Sequence, residues 1–247
     1  MLVLAVDTAG QTGGVLLARS ESATFQLSET RVQGTRALEP KKFSVQLISA
    51  IAELLRLNDT KPADLDAIVC VSGPGSFTGL RVGLSAVKAM AEVWSKPILS
   101  LSRLAVMASA VEASGFELSA GGVVHAVLDA GRGDYYHGIY RDAGRVFVAE
   151  SLQSLTSLSD SFQRTPGLVV ASEPVVVDAL NVVNARPSAI PEVAVREVLP
   201  LISAAWQARR FTDVATLDAN YLRRVNPVAG SKLSPASGSA ESQADRP

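Results

Sequence analysis

The sequence predicts an α/β fold of two similar lobes, each built on a mixed sheet with covering helices. Two apolar segments at the start are joined by a glycine-rich turn, which is typical of an antiparallel hairpin. The continuous apolar run DAIVCVS, at 66–72, has the composition of a strand covered on both faces. A second group of alternating segments begins at residue 123, so a strand-rich order repeats along the chain.

The first lobe opens with three predicted strands in an antiparallel meander, at 2–9, 13–20 and 23–30. A helix is predicted from Glu39 to Leu57, because apolar residues recur there at helical spacing and mark one face. That face comprises Phe43, Leu47, Ile48, Ile51, Leu54 and Leu55.

The loop GPGSFTGLR, at 73–81, leads from the 66–72 strand into a second helix that we expect to end near Trp94. A short strand at 96–102 and a helix at 104–113 follow. We place lobe I at 1–104.

Lobe II, placed at 105–195, contains the second group of strands. They are predicted at 123–130, 134–141, 145–151 and 168–172. A C-terminal helix at 196–228 is expected to pack back on lobe I. The tail at 229–247 is rich in Ser, Ala and Pro and lacks the bulky apolar residues that would order it, so we expect it to be flexible.

Composition limits the classes of function. The chain has 247 residues, a formal net charge of −1 and 19% charged residues, so it offers no basic surface for tight RNA binding by itself. Its start, MLVLAVDTAG, has no basic leader, and no apolar run reaches the ~18 residues of a membrane span. These features predict a cytoplasmic protein without membrane contact. The one cysteine, Cys70, lies inside an apolar strand and is expected to be a core residue.

The 73–81 loop matches neither of two common phosphate-binding motifs. A Walker A loop needs a lysine where Leu80 stands, and a dinucleotide fingerprint needs a glycine where Thr78 stands. We interpret the loop as a tight turn in which Pro74 fixes the backbone and Ser76 or Thr78 caps the helix. Anion binding at the helix N-terminus is the alternative.

Gly83 lies one turn beyond Gly79 inside the predicted helix, where a glycine costs about 1 kcal/mol relative to alanine. Close approach of another backbone is the usual compensation. That backbone belongs either to this chain's own sheet or to a second chain, and the spacing alone leaves both open.

Four segments carry a resemblance to a known family: LAVDTA at 4–9, GPGSFTGLRVGLSAVKAMA at 73–91, AVLDAGRGDYYHGIY at 126–140 and NYLRR at 220–224. On these segments the chain resembles the TsaB (YeaZ) proteins of tRNA threonylcarbamoyladenosine biosynthesis, from about residue 2 to 224. The resemblance implies an actin-like, Hsp70-like ATPase (ASKHA) fold. It also implies a noncatalytic partner of the paralogue TsaD, which transfers the threonylcarbamoyl group to N6 of adenosine 37 in tRNAs that read ANN codons.

The resemblance further implies partners and a docking face. The first long helix and the helix after the loop would dock on TsaD, the ATPase TsaE would join, and two copies of the chain would pair when TsaD is absent. The tRNA would be contacted only through the complex. The expected interface comprises Phe43, Leu47, Gly73, Pro74, Gly75, Ser76, Phe77, Thr78, Gly79, Arg81 and Gly83. We expect Gly83→Leu to weaken this complex while the isolated chain stays folded, because Gly83 would face outward.

The histidines of the chain do not match the pattern of a metal-dependent catalyst. TsaD-like proteins hold a metal with two histidines one helical turn apart, but the two histidines here, His125 and His137, lie on separate predicted strands. We therefore expect no catalytic residues and no metal, which argues against the metal-dependent transferase and metalloprotease alternatives. An independent actin-like ATPase or kinase remains the main competing hypothesis.

That hypothesis depends on two turns that would hold nucleotide phosphates in this fold. The first contains Asp7, Thr8 and Thr12, and the second contains Asp129 and Gly133. The glycine-rich adenosine turn expected later is replaced by Ala-Ser-Glu-Pro at 171–174, whose side chains would crowd a purine. We interpret the nucleotide site as vestigial. No cofactor is required, weak binding of ATP or ADP with Mg²⁺ is compatible with it, and both aspartates serve to form Asx turns.

Two positions depart from the TsaB pattern. Phe43 stands where that family commonly carries histidine, and Gly131 stands where arginine often follows Asp-Ala, with Arg132 one place later. We expect Phe43 to add apolar area to its helix face.

Overall fold

The computed structural model describes residues 1–22, 25–111, 114–116, 118, 121–141, 145–220 and 222. The strands are β1 (Leu2–Asp7), β2 (Gly13–Ser20), β3 (Thr30–Leu38), β4 (Ala67–Val71), β5 (Ile98–Leu101), β6 (Val123–Gly131), β7 (Asp134–Arg141), β8 (Arg145–Ser154), β9 (Leu168–Ala171) and β10 (Ser188–Ala189). The helices are α1 (Phe43–Leu57), α2 (Phe77–Trp94), α3 (Arg103–Ser109), α4 (Leu155–Arg164), α5 (Pro174–Val182) and α6 (Leu199–Gln207). The tail expected at 229–247 lies outside the described residues.

The two sheets have the same topology. Their strand orders are β3-β2-β1-β4-β5 and β10-β9-β6-β7-β8. In each sheet three consecutive strands form an antiparallel meander, and the first of them also pairs in parallel with the next strand to join. The prediction of two similar mixed α/β lobes is confirmed, and β1 and β6 occupy equivalent places in the two sheets.

Three predicted elements differ from the structure. The third strand is β3, because residues 27–29 form a short 3₁₀ turn instead of a strand. Helix α1 begins at Phe43 and not at Glu39, because Lys41 adopts a left-handed backbone with φ 64° that cannot continue a helix. Of the C-terminal helix predicted at 196–228, the described residues contain the α-helix α6, which ends at Gln207, shortly before Arg209 with φ 50°.

After α6 the chain runs along lobe I. Thr212 donates its amide to Ile98 of β5 at 2.8 Å, and Asn220 donates its amide to Ser72, just after β4, at 2.8 Å. The side-chain amide of Asn220 also donates to Glu150 of β8 at 2.6 Å, and the buried Tyr140 hydroxyl donates to the same carboxylate at 2.5 Å. Asn220 therefore connects the two lobes.

The β4 prediction is borne out in detail. All five residues of β4 are buried, and Cys70 lies in the core, where burial raises the pKa of its thiol to about 12. The thiol therefore stays protonated at neutral pH, as expected of a core residue. No helix within the described part of the chain is long and apolar enough to cross a membrane.

Candidate functional site

The loop after β4 packs on the turn between β1 and β2. A Cβ atom at Gly75 would overlap the carbonyl oxygen of Ala9, and one at Gly79 would overlap that of Thr8. The Ser76 amide donates to Ala9 at 2.8 Å, and the Thr8 hydroxyl donates to the Gly79 carbonyl at 2.7 Å. These glycines are required because two backbones of the same chain meet here.

The start of α2 has the predicted cap. The Ser76 hydroxyl accepts a hydrogen bond from the Gly79 amide at 3.2 Å, so Ser76 is the N-cap residue and Thr78 is not. Gly73 and Pro74 are buried, and Gly73 has φ 104°, which favours glycine. Its carbonyl accepts the amide of Arg103 at 2.8 Å, so the loop is also connected to α3.

The expectation that Gly83 faces outward is wrong. Gly83 is buried, and a Cβ atom there would overlap the hydroxyl of Thr8. Phe43 and Leu47 are only 6% and 1% exposed, so they belong to the core of lobe I in the isolated chain. The Phe43 ring packs against Gly13 and Gly79, so closely that a Cβ atom on either glycine would contact it. This packing explains why position 43 carries an apolar side chain. The buried residues Phe43, Leu47, Gly79 and Gly83 are therefore not available to a partner without rearrangement.

A different set of residues is exposed on the two helices. Val45 and Ile48 of α1 are 79% and 58% exposed, so Ile48 does not share the burial of Phe43 and Leu47, with which it was predicted to form one face. On α2, every fourth residue is exposed from the start of the helix to its end. We call this row the α2 stripe: Phe77, Arg81, Ser85, Ala89 and Val93. The Arg81 guanidinium lies 4.0 Å above the Phe77 ring.

The second candidate region is the cleft where the two aspartate-bearing turns meet. The buried Asp7 carboxylate accepts the amide of Ala9 at 2.9 Å, and Asp129 accepts the amide of Gly131 at 2.9 Å. Both are the Asx turns that the sequence predicted. Thr12 and Gly133 are exposed in these turns, and Thr8 is buried beneath α2.

Three charged residues in the cleft were missed by sequence analysis. The side chain of Arg103 is only 4% exposed, and its guanidinium lies 3.4 Å from Glu192 and 3.9 Å from Glu173. Glu192 accepts the amides of Gln11 and Thr12, at 2.7 and 3.1 Å, and Glu173 accepts the amide of Asp129 at 2.7 Å. Glu173 was part of the 171–174 segment that was expected to crowd a purine, and no motif marked Arg103 or Glu192.

Burial raises the pKa of two carboxyl groups in the cleft, those of Asp7 and Glu173. Loss of water raises the pKa of Asp7 to about 6, although the Ala9 amide and the nearby Arg103 guanidinium oppose the shift. Burial also raises the pKa of Glu173, against its hydrogen bond with Asp129.

The two histidines lie outside the cleft but contact each other. His125 Nδ1 and His137 Nε2 are 3.0 Å apart, and His125 Nε2 lies 2.7 Å from the Thr165 carbonyl. Because a carbonyl only accepts, His125 donates from Nε2 and His137 donates to His125 Nδ1. The β6–β7 register explains the contact, since His125 pairs with Ile139 and Val127 pairs with His137. The described residues contain no cluster of three or more His, Cys, Asp or Glu that could hold a metal ion.

Comparisons with known proteins agree on one family. The family model described as TsaD: tRNA N6-adenosine threonylcarbamoyltransferase matches residues 37–213. The TsaB protein of Bacillus subtilis is 33% identical over 141 residues, which cover 57% of this chain and 56% of that protein. The TsaB protein of Escherichia coli is 26% identical over 156 residues, covering 63% and 62%. The chain thus matches less than two thirds of the length of either relative.

The solved structure of YeaZ from Pseudomonas aeruginosa has the same fold, with a TM-score of 0.70 at 21% identity. The superposition covers 90% of this chain and 99% of that one. The predicted actin-like (ASKHA) fold is thereby confirmed. The chain belongs to the family of proteins related to tRNA N6-adenosine threonylcarbamoyltransferase (TsaD) that includes the TsaB (YeaZ) proteins.

Proposed function

We propose that this chain is a noncatalytic partner of TsaD in forming N6-threonylcarbamoyladenosine at position 37 of tRNAs that read ANN codons. It acts in the cytoplasm and docks on TsaD through its α1 and α2 helices. TsaE is a further partner, and two copies of the chain pair through the same helices when TsaD is absent. The tRNA is contacted through the complex.

The observation that carries this proposal is the similarity to proteins named for threonylcarbamoyladenosine biosynthesis. One structural feature supports a noncatalytic role. The cleft presents backbone amides to the chain's own glutamates, which does not favour the ATPase or kinase alternative.

Exposed apolar area supports the choice of docking face. Val45 and Ile48 on α1 and Phe77 and Val93 on α2 are among the most exposed large apolar residues described. The centre of the α2 stripe carries the small residues Ser85 and Ala89, which would let a partner helix approach closely. This set replaces Phe43, Leu47, Gly79 and Gly83 as the docking residues we propose.

The experiment combines the chain with TsaD and TsaE from the same organism and measures threonylcarbamoyladenosine in tRNA by mass spectrometry. Omitting the chain should reduce the modification strongly, and Val93→Arg should weaken binding to TsaD at least ~10-fold, because it places an unpaired charge in an apolar contact.

Val182→Arg is the matched control. Val182 lies on α5 of lobe II and is 77% exposed, against 79% for Val93, so the same substitution changes charge and exposure equally. Modification that proceeds fully without the chain would refute the proposed role. Equal loss of TsaD binding in both variants would refute the proposed face.

A further inference from the structure

Two carboxylates occupy the anion-binding positions of the cleft. Oε1 of Glu192 accepts the amides of both Gln11 and Thr12, so two consecutive N–H groups converge on one oxygen. Consecutive amides that point at one centre form an anion-binding concavity. Gly10 completes it, since a Cβ atom at Gly10 would overlap the same glutamate oxygen.

A second carboxylate lies at the aspartate turn of the other lobe, with one amide donor instead of two. Oε2 of Glu173 accepts the amide of Asp129 at 2.7 Å, near the end of β6. Because β1 and β6 have equivalent places in their sheets, each carboxylate lies beside the turn that follows an equivalent strand. Each turn therefore already holds an anion that the chain itself supplies.

Arg103 is the shared cation between them. Its guanidinium faces Glu192 with one terminal nitrogen and Glu173 with the other, and its side chain is 4% exposed. Its Nε is buried without a hydrogen-bond partner, so the guanidinium has donor capacity beyond these two contacts. A buried arginine with an unused donor beside such a concavity is suited to a larger anion.

We propose that Glu192 and Glu173 are internal ligands of an anion site that spans the two lobes. They occupy donors that an external anion would use, hold the lobes together through Arg103 and the first turn, and compete with phosphorylated ligands for the cleft. Removal of the Glu192 carboxylate exposes a site for phosphate or pyrophosphate. A cavity of about 420 Å³ beside Arg103, Gly10 and Ser76 has room for such a ligand.

The test titrates inorganic pyrophosphate, without metal, into the isolated wild-type chain and Glu192→Ala by calorimetry at constant ionic strength. We expect binding by Glu192→Ala to be at least ~10-fold tighter than by the wild type, since two amides and one guanidinium lose their competing carboxylate. Glu197→Ala is the control. Glu197 lies five residues after Glu192 and is also partly exposed, so the substitution removes the same charge from a similar environment. Adding Arg103→Gln to Glu192→Ala should abolish the gain.

Amide hydrogen exchange gives a second readout. The amides of Gln11 and Thr12 should exchange faster in Glu192→Ala than in the wild type, and pyrophosphate should slow them again. If Glu192→Ala does not fold, Glu192→Gln preserves side-chain volume and should show weaker forms of both effects.

Three results would overturn the proposal: equal pyrophosphate binding by wild type and Glu192→Ala, no gain in a folded Glu192 variant, or an equal gain in Glu197→Ala. These assays use the isolated chain and neither TsaD nor tRNA. The inference can therefore fail while the proposed function stands, and the reverse also holds.

Discussion

Asp7 is a residue whose burial works against stability at neutral pH. Its carboxyl has a pKa of about 6 in the folded chain, against 3.8 for an unperturbed aspartate. The folded state therefore holds this proton more tightly, and stability is lost as the pH rises from about 3.8 through 6.

We expect Asp7→Asn to raise the free energy of unfolding at pH 7, by up to about 3 kcal/mol, because an amide keeps the acceptor for Ala9 without a buried charge. Urea denaturation at pH 7 and pH 4 checks this, and the gain should vanish at pH 4. Asp129→Asn is the control, since Asp129 forms the same turn but is exposed. Equal effects of the two variants at pH 7 would contradict the argument.

The histidine pair has the opposite pH dependence. Burial lowers the pKa of His125, and it lowers that of His137 to about 3, with a smaller effect from the neighbouring His125. The unfolded chain takes up protons below pH 6.5 that the folded chain does not, so stability falls as the pH drops below that value.

Replacing both residues, His125→Leu with His137→Leu, should reduce the stability difference between pH 7.5 and 5.5 by about 1 kcal/mol for His137, with a further reduction of the same sign for His125. Denaturation curves at the two pH values measure it. Asp7 titrates in the same window with the opposite sign, so the comparison with the wild type isolates the histidines. An unchanged difference would show that the pair is protonated in the fold.

At the scale of the element, α2 has two faces with separable roles. Gly83 contacts Thr8 inside the lobe, and Ser85 lies on the exposed α2 stripe two residues later. Gly83→Leu should lower the free energy of unfolding of the isolated chain by about 1 to 3 kcal/mol or more. The added side chain would overlap Thr8, whose hydroxyl is hydrogen-bonded to Gly79.

Ser85→Leu is the matched substitution on the other face. It should leave unfolding nearly unchanged and alter binding to TsaD, which calorimetry measures. A stable Gly83→Leu chain would mean that β1 can move away from α2, contrary to the packing described here.

Element prediction succeeded where burial dictates the apolar pattern of an element. β4 and α2 have strong apolar signals, and both appear close to their predicted bounds. β3 was misplaced because it is a polar edge strand, with only Leu38 buried. Helical spacing also could not show which neighbour Gly83 approaches, since a glycine permits contact with either a sheet or a partner.

At the scale of the whole molecule, the cleft is lined by charged groups far apart in sequence. Arg103, Glu173 and Glu192 come from three different segments and match no local motif. The sequence therefore predicted the two aspartate turns, each of which is local, but not the charges that fill them. The histidine contact could have been anticipated from the register of the β6–β7 hairpin, which makes His125 and His137 diagonal neighbours.

The filled cleft predicts the behaviour of the isolated chain toward ATP. Turnover should stay far below the ~1 s⁻¹ of ordinary enzymes, because the amides that would hold phosphates are already bonded to glutamates. A phosphate-release assay with Mg²⁺ checks this. Turnover at enzyme rates that Asp7→Ala abolishes would favour the kinase alternative.

The position of Asn220 along the chain has a consequence for synthesis on the ribosome. Every strand of both sheets precedes Asn220 in sequence, yet Asn220 joins Ser72 of lobe I to Glu150 of lobe II. Since domains fold as they emerge, a nascent chain can complete both sheets before this connection exists. The Arg103 contacts with Glu173 and Glu192 can then join the lobes first, and the Asn220 connection is added only when the last described segment leaves the exit tunnel.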